Sequence, residues 1–355
     1  MKKLKVFFPQ FFQENKILFE IAEWDSNKKL VLSPLGREVF DQVFYPEEAH
    51  WIIVPLFLTG LVSEEGKSYI LESHSLAKNS NKPLGLFSNS DLILNPQVKD
   101  FYLFTPGSYA SDQRLVELPA LLPLDPLSTY FENQLSPIEK EERPTLGFCG
   151  QATSNGLKTL KDFLQIQRLR LKKKRGKIPY MKIPLFLPAF ERYKLLSKLE
   201  SSSLVATDFI YRKKYRAGAL TPQDKLKVEK EFYENIRKNL FTICLRGMGN
   251  YSVRFFQTLA MGRIPVLIDT DSNVPFEKFI QEKEFYISIP YSNRMKTDAV
   301  LKKFYETKTS EELKNWQLRC RKVWESYYQK ESLMGLLSQE MDYILKNNFL
   351  GNSKD

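Results

Sequence analysis

Arg246 and Arg254 flank a glycine loop, Arg-Gly-Met-Gly-Asn-Tyr-Ser, in a stretch from 241 to 277 that reads strand, polar loop, helix, strand, loop. Phe241 to Leu245 is a short apolar run with β-branched Thr242 and Ile243, the composition of a buried parallel strand. Gly247 and Gly249 permit a tight turn and let the backbone approach a ligand, since no Cβ stands in the way. Ser252 occupies an N-cap position and would open a helix over 253–261. A helix amino end beyond the carboxyl end of a parallel strand offers free N–H groups and a positive dipole end, which suits a phosphate. Guanidinium forks pair with phosphate oxygens through two parallel hydrogen bonds, so two arginines around such a loop can hold a diphosphate without a metal. Gln257, three residues beyond Arg254 on the same helical face, carries an amide that can reach a ribose or sugar hydroxyl. Gly262 then ends the helix, and Ile264 to Ile268 forms a second buried strand. Asp269 and Asp271 follow that strand, where ligand loops of open α/β sheets lie. Any βαβ unit with a capped helix explains the glycines; the arginines are what point to phosphate.

These residues resemble the carboxyl-terminal signature of the exostosin-like glycosyltransferases. Cys244, Arg246 and Gly247 stand at the strand end, then Ser252, Arg254, Gly262, Ile264, Pro265 and Val266, and finally Pro275, Phe276 and Glu277, all in the family's register. The resemblance implies an α/β, GT-B-like fold: two Rossmann-like domains with parallel sheets facing across a cleft. It implies transfer of a sugar from a nucleotide diphosphate sugar to a hydroxyl of a glycan acceptor, hexosyltransferase-like, with inversion; the paired arginines, rather than the resemblance, point to a site with no metal or other cofactor. Donor contacts fall on Arg246, Gly247, Gly249, Ser252, Arg254, Gln257, Asp269 and Glu277. Gln257 departs from the Glu or Asp of the family, keeping the hydrogen-bonding reach and losing the charge. The triplet Asp269-Thr-Asp271 reads either as a metal pair or as two donor-hydroxyl contacts.

The base that activates the acceptor is sought in the first part of the chain. The segment YPEEAHWIIVP, 45–55, is similar to a second family stretch, with Tyr45 and His50 in place of two aspartates. A histidine titrates near neutral pH, so His50 reads either as a base or as a residue preceding a core strand. Asp91 aligns with an acidic position of the family and is the first choice for the base; its plainer reading is a turn or cap residue. Glu72, His74, Ser88, Asn89, Ser90 and Asp91 are expected to form one polar, acceptor-facing cluster.

The chain has 355 residues, 43% of them hydrophobic, enough for two cores. Residues 1–142 carry 13 Lys and Arg against 20 Asp and Glu, and the remainder 40 against 22, so the halves bear −7 and +18 of the net +11. A basic second half suits an anionic donor or anionic lipid headgroups. The densest stretch, RLRLKKKRGK at 168–177, precedes the apolar IPYMKIPLFLPAF. It reads either as a solvated helix face before a core segment or as a peripheral contact with an anionic membrane, where a lipid-linked glycan acceptor would lie. No helix-turn-helix, finger or RNP pattern points to nucleic acid. Three scattered cysteines exclude a disulfide framework and suit a reducing cytoplasm. The amino terminus reads as a first strand rather than a leader, and no apolar run reaches the roughly 20 residues of a span. The expected protein is a bacterial-type soluble enzyme, cytoplasmic and peripheral to the inner face of the membrane, in surface polysaccharide synthesis.

A charged, proline-bracketed stretch at 135–144 divides the chain into an acceptor-side domain, 1–142, and a donor-binding domain, 143–355, whose last helix packs back on the first. Strands are expected at 3–8, 50–56, 85–88 and 101–104, then near 147, at 203–207, 241–245, 264–268 and 285–289. Long helices are expected at 156–174, 221–239 and 310–346, the last broken near Gly335. Two other readings share the basic cleft: a phosphotransferase acting on a wall polymer, and a non-catalytic carbohydrate-binding relative.

Overall fold

The computed structural model describes residues 3–11, 17–175, 187–213, 215–218 and 220–347. The first half runs β1 (Leu4–Phe7), the hairpin β2 (Ala22–Trp24) and β3 (Leu30–Leu32), α1 (Pro34–Val39), β4 (Phe40–Gln42), β5 (Trp51–Phe57), α2 (Glu64–Asn79), β6 (Leu84–Phe87), β7 (Tyr102–Thr105), β8 (Leu115–Glu117) and α3 (Pro126–Tyr130). The second runs β9 (Thr145–Gln151), α4 (Gly156–Lys174), α5 (Pro188–Glu200), β10 (Ala206–Arg212), α6 (Pro222–Lys238), β11 (Phe241–Cys244), α7 (Val253–Ala260), β12 (Ile264–Asp269), β13 (Ile287–Pro290), α8 (Thr297–Glu306), α9 (Ser310–Tyr327) and α10 (Lys330–Asn347).

The first half forms a six-stranded sheet, β4-β1-β5-β6-β7-β8, and the second a five-stranded sheet, β10-β9-β11-β12-β13. Every pairing within both sheets is parallel, as continuous apolar strands joined by crossovers require. Both are Rossmann-like, and the loops at their carboxyl ends face each other across a cleft in the GT-B-like arrangement. The first core gathers Val6, Trp51, Ile53, Leu86 and Phe104, together with Leu333, Leu337 and Met341 of α10. The indole N–H of Trp51 donates to the Met341 carbonyl at 3.3 Å. The second core gathers Leu146, Phe148, Phe241, Phe256 and Val266 against Trp316 and Trp324 of α9.

Two expectations need correction. The long carboxyl-terminal helix does not break at Gly335, which lies inside α10 with open space around it. It breaks after Tyr327, because Tyr328 is buried and its hydroxyl donates to the Pro275 carbonyl at 3.0 Å, holding the chain while it turns. His74 and Glu72 belong to no polar loop: they ride on α2, which is capped by Ser63 Oγ accepting from the Gly66 amide. Gly66 is a glycine because a Cβ there would stand 2.7 Å from the Cα of Leu61. The stretch 135–144 is fastened to α9, since Gln317 both accepts from the Ile138 amide and donates to the Ile138 carbonyl.

Of the basic stretch 168–177, residues up to 175 are described; 176–186 lie outside the described residues, and with them most of the apolar run that follows. No helix among the described residues is long and apolar enough to cross a membrane.

Candidate functional site

In the second sheet the strand order reverses between β9 and β11, and in open parallel sheets the crevice beyond the carboxyl ends at such a point is where ligands bind. Three arginines converge there. Arg246 follows β11 by two residues; its guanidinium donates to the Asn250 side chain and, at 2.9 Å, to the Met248 carbonyl. Arg254, in the first turn of α7, donates to the Cys149 carbonyl at 2.9 Å and lies 4.2 Å from the ring centre of Phe148. Arg192 comes from α5 and spans the switch point, donating to the carbonyls of Gln151 at 3.3 Å and Arg246 at 2.9 Å.

The charges here are poorly compensated. Among the described residues no carboxylate pairs with Arg192 or Arg254, and the Nε of each is buried without a hydrogen bond. Burial, with the neighbouring Arg254, pushes the pKa of Arg192 down to about 9. Arg254 is also lowered, chiefly by burial, with Arg212 adding repulsion. A cation drawn half out of water with no anion beside it is unfavourable by itself, so the crevice is electrostatically complementary to an anionic ligand. The thiols of Cys149 and Cys244 line the same region, and burial pushes them up to about 11 and about 12, which keeps them protonated and inert.

The glycine loop joins the two halves. Asn250 is buried; its amide donates to the Ser108 carbonyl at 2.8 Å and to the Asp271 carbonyl at 2.9 Å, while its oxygen accepts from Arg246 and Thr270. Tyr251 donates its hydroxyl to Asp91 Oδ1 at 2.7 Å, and Tyr109 accepts from Arg246 at 3.3 Å. The two glycines therefore differ. A Cβ on Gly249 would stand 2.9 Å from the Asp91 carbonyl and 2.4 Å from the Tyr251 ring, so that glycine serves contact between the halves. A Cβ on Gly247 would meet only an Arg192 nitrogen at 3.5 Å, which leaves its backbone open to the crevice.

The remaining sequence-derived candidates fall in different places. Ser252 stands at the amino end of α7, but its side chain makes no capping bond. Gln257 donates to the Tyr233 hydroxyl at 3.3 Å, on the side of α7 that faces α6. Asp269 accepts from the amide and hydroxyl of Ser272, whereas Asp271 accepts from Ser111 of the other half, so the two carboxylates turn to separate partners. Glu277 accepts from Tyr286 at 2.7 Å. Asp91 follows β6 and faces the glycine loop across the cleft. His50 is not brought to this cleft. It precedes the amino end of β5, roughly 20 Å of strand from the carboxyl end, and its Nδ1 accepts from the Lys5 amide at 2.9 Å.

Arg192 and Asn250 line the candidate site and Glu117 lies beside it, although no motif indicated any of the three. Glu117 ends β8, accepts from the Ser108 amide, and is held well above the usual carboxylate range by burial, partly offset by its bonds to Ser108 and by Arg246. It also lines a cavity of about 390 Å³ between the halves, with Asp269, Glu277, Lys278, Tyr286 and Glu340, beside rather than within the arginine crevice.

No family model matches the sequence, and no curated relative matches it. Solved structures that resemble it include HepE of Anabaena in complex with UDP-glucose, at 7% identity over 84% of this chain and 79% of that one, with a TM-score of 0.33. The pneumococcal O-GlcNAc transferase GtfA in complex with UDP and GlcNAc is similar at 9% identity over 95% of this chain and 69% of that one, TM-score 0.33. A glycosyltransferase from Rickettsia africae is similar at 10% identity over 84% and 78%, also with a TM-score of 0.33. At that distance the likeness carries no functional assignment.

Proposed function

We propose that this chain is an exostosin-like glycosyltransferase that takes a sugar from a nucleotide diphosphate sugar and transfers it to a hydroxyl of a glycan or lipid-linked glycan acceptor in bacterial surface polysaccharide synthesis. The observation that carries the reading is the pair Arg192 and Arg254, half-buried at the switch point of a parallel sheet, each with a buried, unbonded Nε and with no carboxylate partner among the described residues. A diphosphate seated against them, Arg246 and the open backbone of Gly247 supplies the missing negative charge. As the bond to the sugar breaks, negative charge grows on that diphosphate, and guanidinium groups already fixed in place stabilise it without reorganising.

Asp91 is the base of this proposal. It stands on the opposite wall of the cleft from the arginines, held by Tyr251, and would take the proton of the attacking hydroxyl. A base and a leaving group on opposite walls suit a single inverting displacement. Metal independence is the other part of the proposal, since guanidinium groups take the role a cation would otherwise play.

The test is a calorimetric panel of nucleotide diphosphates and their sugars against the wild type, Arg254→Ala and Arg192→Ala. One nucleotide is expected to bind selectively and to lose at least about tenfold in affinity in either variant, each of which removes a charge-assisted contact. With the matching donor and an acceptor, Asp91→Asn should abolish turnover while leaving donor binding intact, and EDTA should have no effect. Failure of every nucleotide to bind would overturn the reading.

A further inference from the structure

Helix α4 follows the carboxyl end of β9 after four residues, so its amino end stands at the mouth of the arginine crevice. Within its 19 residues only Ile166 is fully buried. Leu157, Leu160, Phe163, Leu164 and Leu171 are between 46% and 83% exposed. Spacings of three, four and seven place them on one side of the helix, in an arc of about 120°. An apolar stripe of five large side chains facing water is costly unless something covers it.

The charge beside the stripe indicates what does. Residues 156–175 hold eight basic side chains and a single acid, Asp162. Lys161, Arg168 and Lys172 are exposed and, at steps of seven and four, run along the edge of the stripe next to Leu157 and Leu164. Leucine and phenylalanine on one face, with lysine and arginine flanking them, is the pattern of a helix lying in the headgroup region of an anionic bilayer. Nucleic acid would use the charges and leave the leucines in water.

We propose that α4 is a membrane-docking helix that seats Leu157, Leu160, Phe163, Leu164 and Leu171 in an anionic lipid surface while Lys161, Arg168 and Lys172 pair with its headgroups. The proposal goes beyond donor chemistry and does not depend on it.

Co-sedimentation of the full chain with vesicles of phosphatidylcholine alone, or with about one third phosphatidylglycerol, tests it without any turnover assay. The wild type is expected to partition at least about tenfold more strongly onto the anionic vesicles, and less so at high salt. Leu160→Asp with Leu164→Asp should lower that partition at least about tenfold, and Arg168→Glu with Lys172→Glu by a similar factor. All the changed side chains are exposed, so the fold should survive. A second measurement does not rely on weakened variants. Cys149, Cys244 and Cys320 are buried, so Leu164→Cys can be labelled selectively with an environment-sensitive dye, whose emission should shift to the blue on adding anionic vesicles. Equal partition onto both vesicles, leucine variants that sediment like the wild type, or a dye that stays in water would each overturn the proposal. Tight binding of a short RNA duplex that survives the leucine changes would overturn it too, by marking a polyanion surface.

Discussion

Gly150 is a glycine because Arg254 lies where its side chain would be: a Cβ there would stand 2.6 Å from the Arg254 Nη2. Arg254 is also held by Phe148 and by the Cys149 carbonyl of the same strand. Gly150→Ala should therefore push the guanidinium off β9 and lower nucleotide affinity at least about tenfold, for a cost in folding of about 1–3 kcal/mol. Calorimetry paired with denaturant unfolding separates the two effects, and unchanged affinity would show that Arg254 does not need this seat. Glu117 offers a prediction about pH. Its pKa is raised chiefly by burial, so the folded state keeps its proton over a range where the unfolded chain has lost it. Stability is then greatest below about 4.5, the ordinary value, and falls as pH rises toward the folded pKa. Glu117→Gln keeps an oxygen for the Ser108 amide and cannot ionise, so its stability curve should be flatter between pH 5 and 8 than that of the wild type. Parallel curves from unfolding at a series of pH values would refute this. Arg192 shows where residue-level reading stops. It sits in an ordinary helical stretch, 54 residues before Arg246, and only tertiary packing of α5 against the strand ends makes it a member of the site.

Among the elements, those with a long apolar run or clear periodicity could be read from the chain. The strands β1, β5, β6, β7, β11 and β12 lie where continuous apolar residues put them, and α4 and α6 run close to the expected 156–174 and 221–239, with Asn155 and Thr221 capping them in the structure. What escaped has physical reasons. β4 and β8 are three residues long, too short to show a period, and pair only because a neighbouring strand offers its edge. α2 carries Gly66 and little apolar periodicity, and it forms because Ser63 caps it and Leu61 packs on the glycine. The Arg-Gly-Met-Gly loop was legible as a turn after a strand. Which of its glycines faces a ligand and which faces the other half was not, because that depends on Asp91 and Tyr251 meeting across the cleft. The same holds for His50. The direction of β5 places it at the wrong end of the sheet, and the adjacent residues alone do not show which end a ligand uses.

At the scale of the whole molecule, the two halves share their cores as well as a cleft. Leaving β12, the chain passes through Pro275, Phe276 and Glu277, and Phe276 is seated 4% exposed in the core of the first half, alongside residues of α10. It adopts φ 58°, in the left-handed region that a bulky side chain normally avoids. The seat must therefore stabilise more than the backbone strain costs, and the two contributions can be separated by two substitutions. Phe276→Ala loses the buried ring and keeps a Cβ in the strained conformation, so it should lose about 3–5 kcal/mol and lower the unfolding transition by at least about 5 °C. Phe276→Gly loses the same ring and is free of the strain at positive φ, so it should be more stable than the alanine variant by about 1 kcal/mol, although glycine is ordinarily the more costly replacement. The reverse order in calorimetric unfolding would mean that the loop is not held left-handed in solution. A small loss in both variants would mean that Phe276 does not join the halves. Because Tyr328 binds the Pro275 carbonyl and α10 closes over the same core, loss of the ring should loosen the first half against the second and weaken the contact between Asp91 and the glycine loop. The Pro-Phe-Glu segment thus helps to hold the wall that carries Asp91 against the wall that carries the arginines.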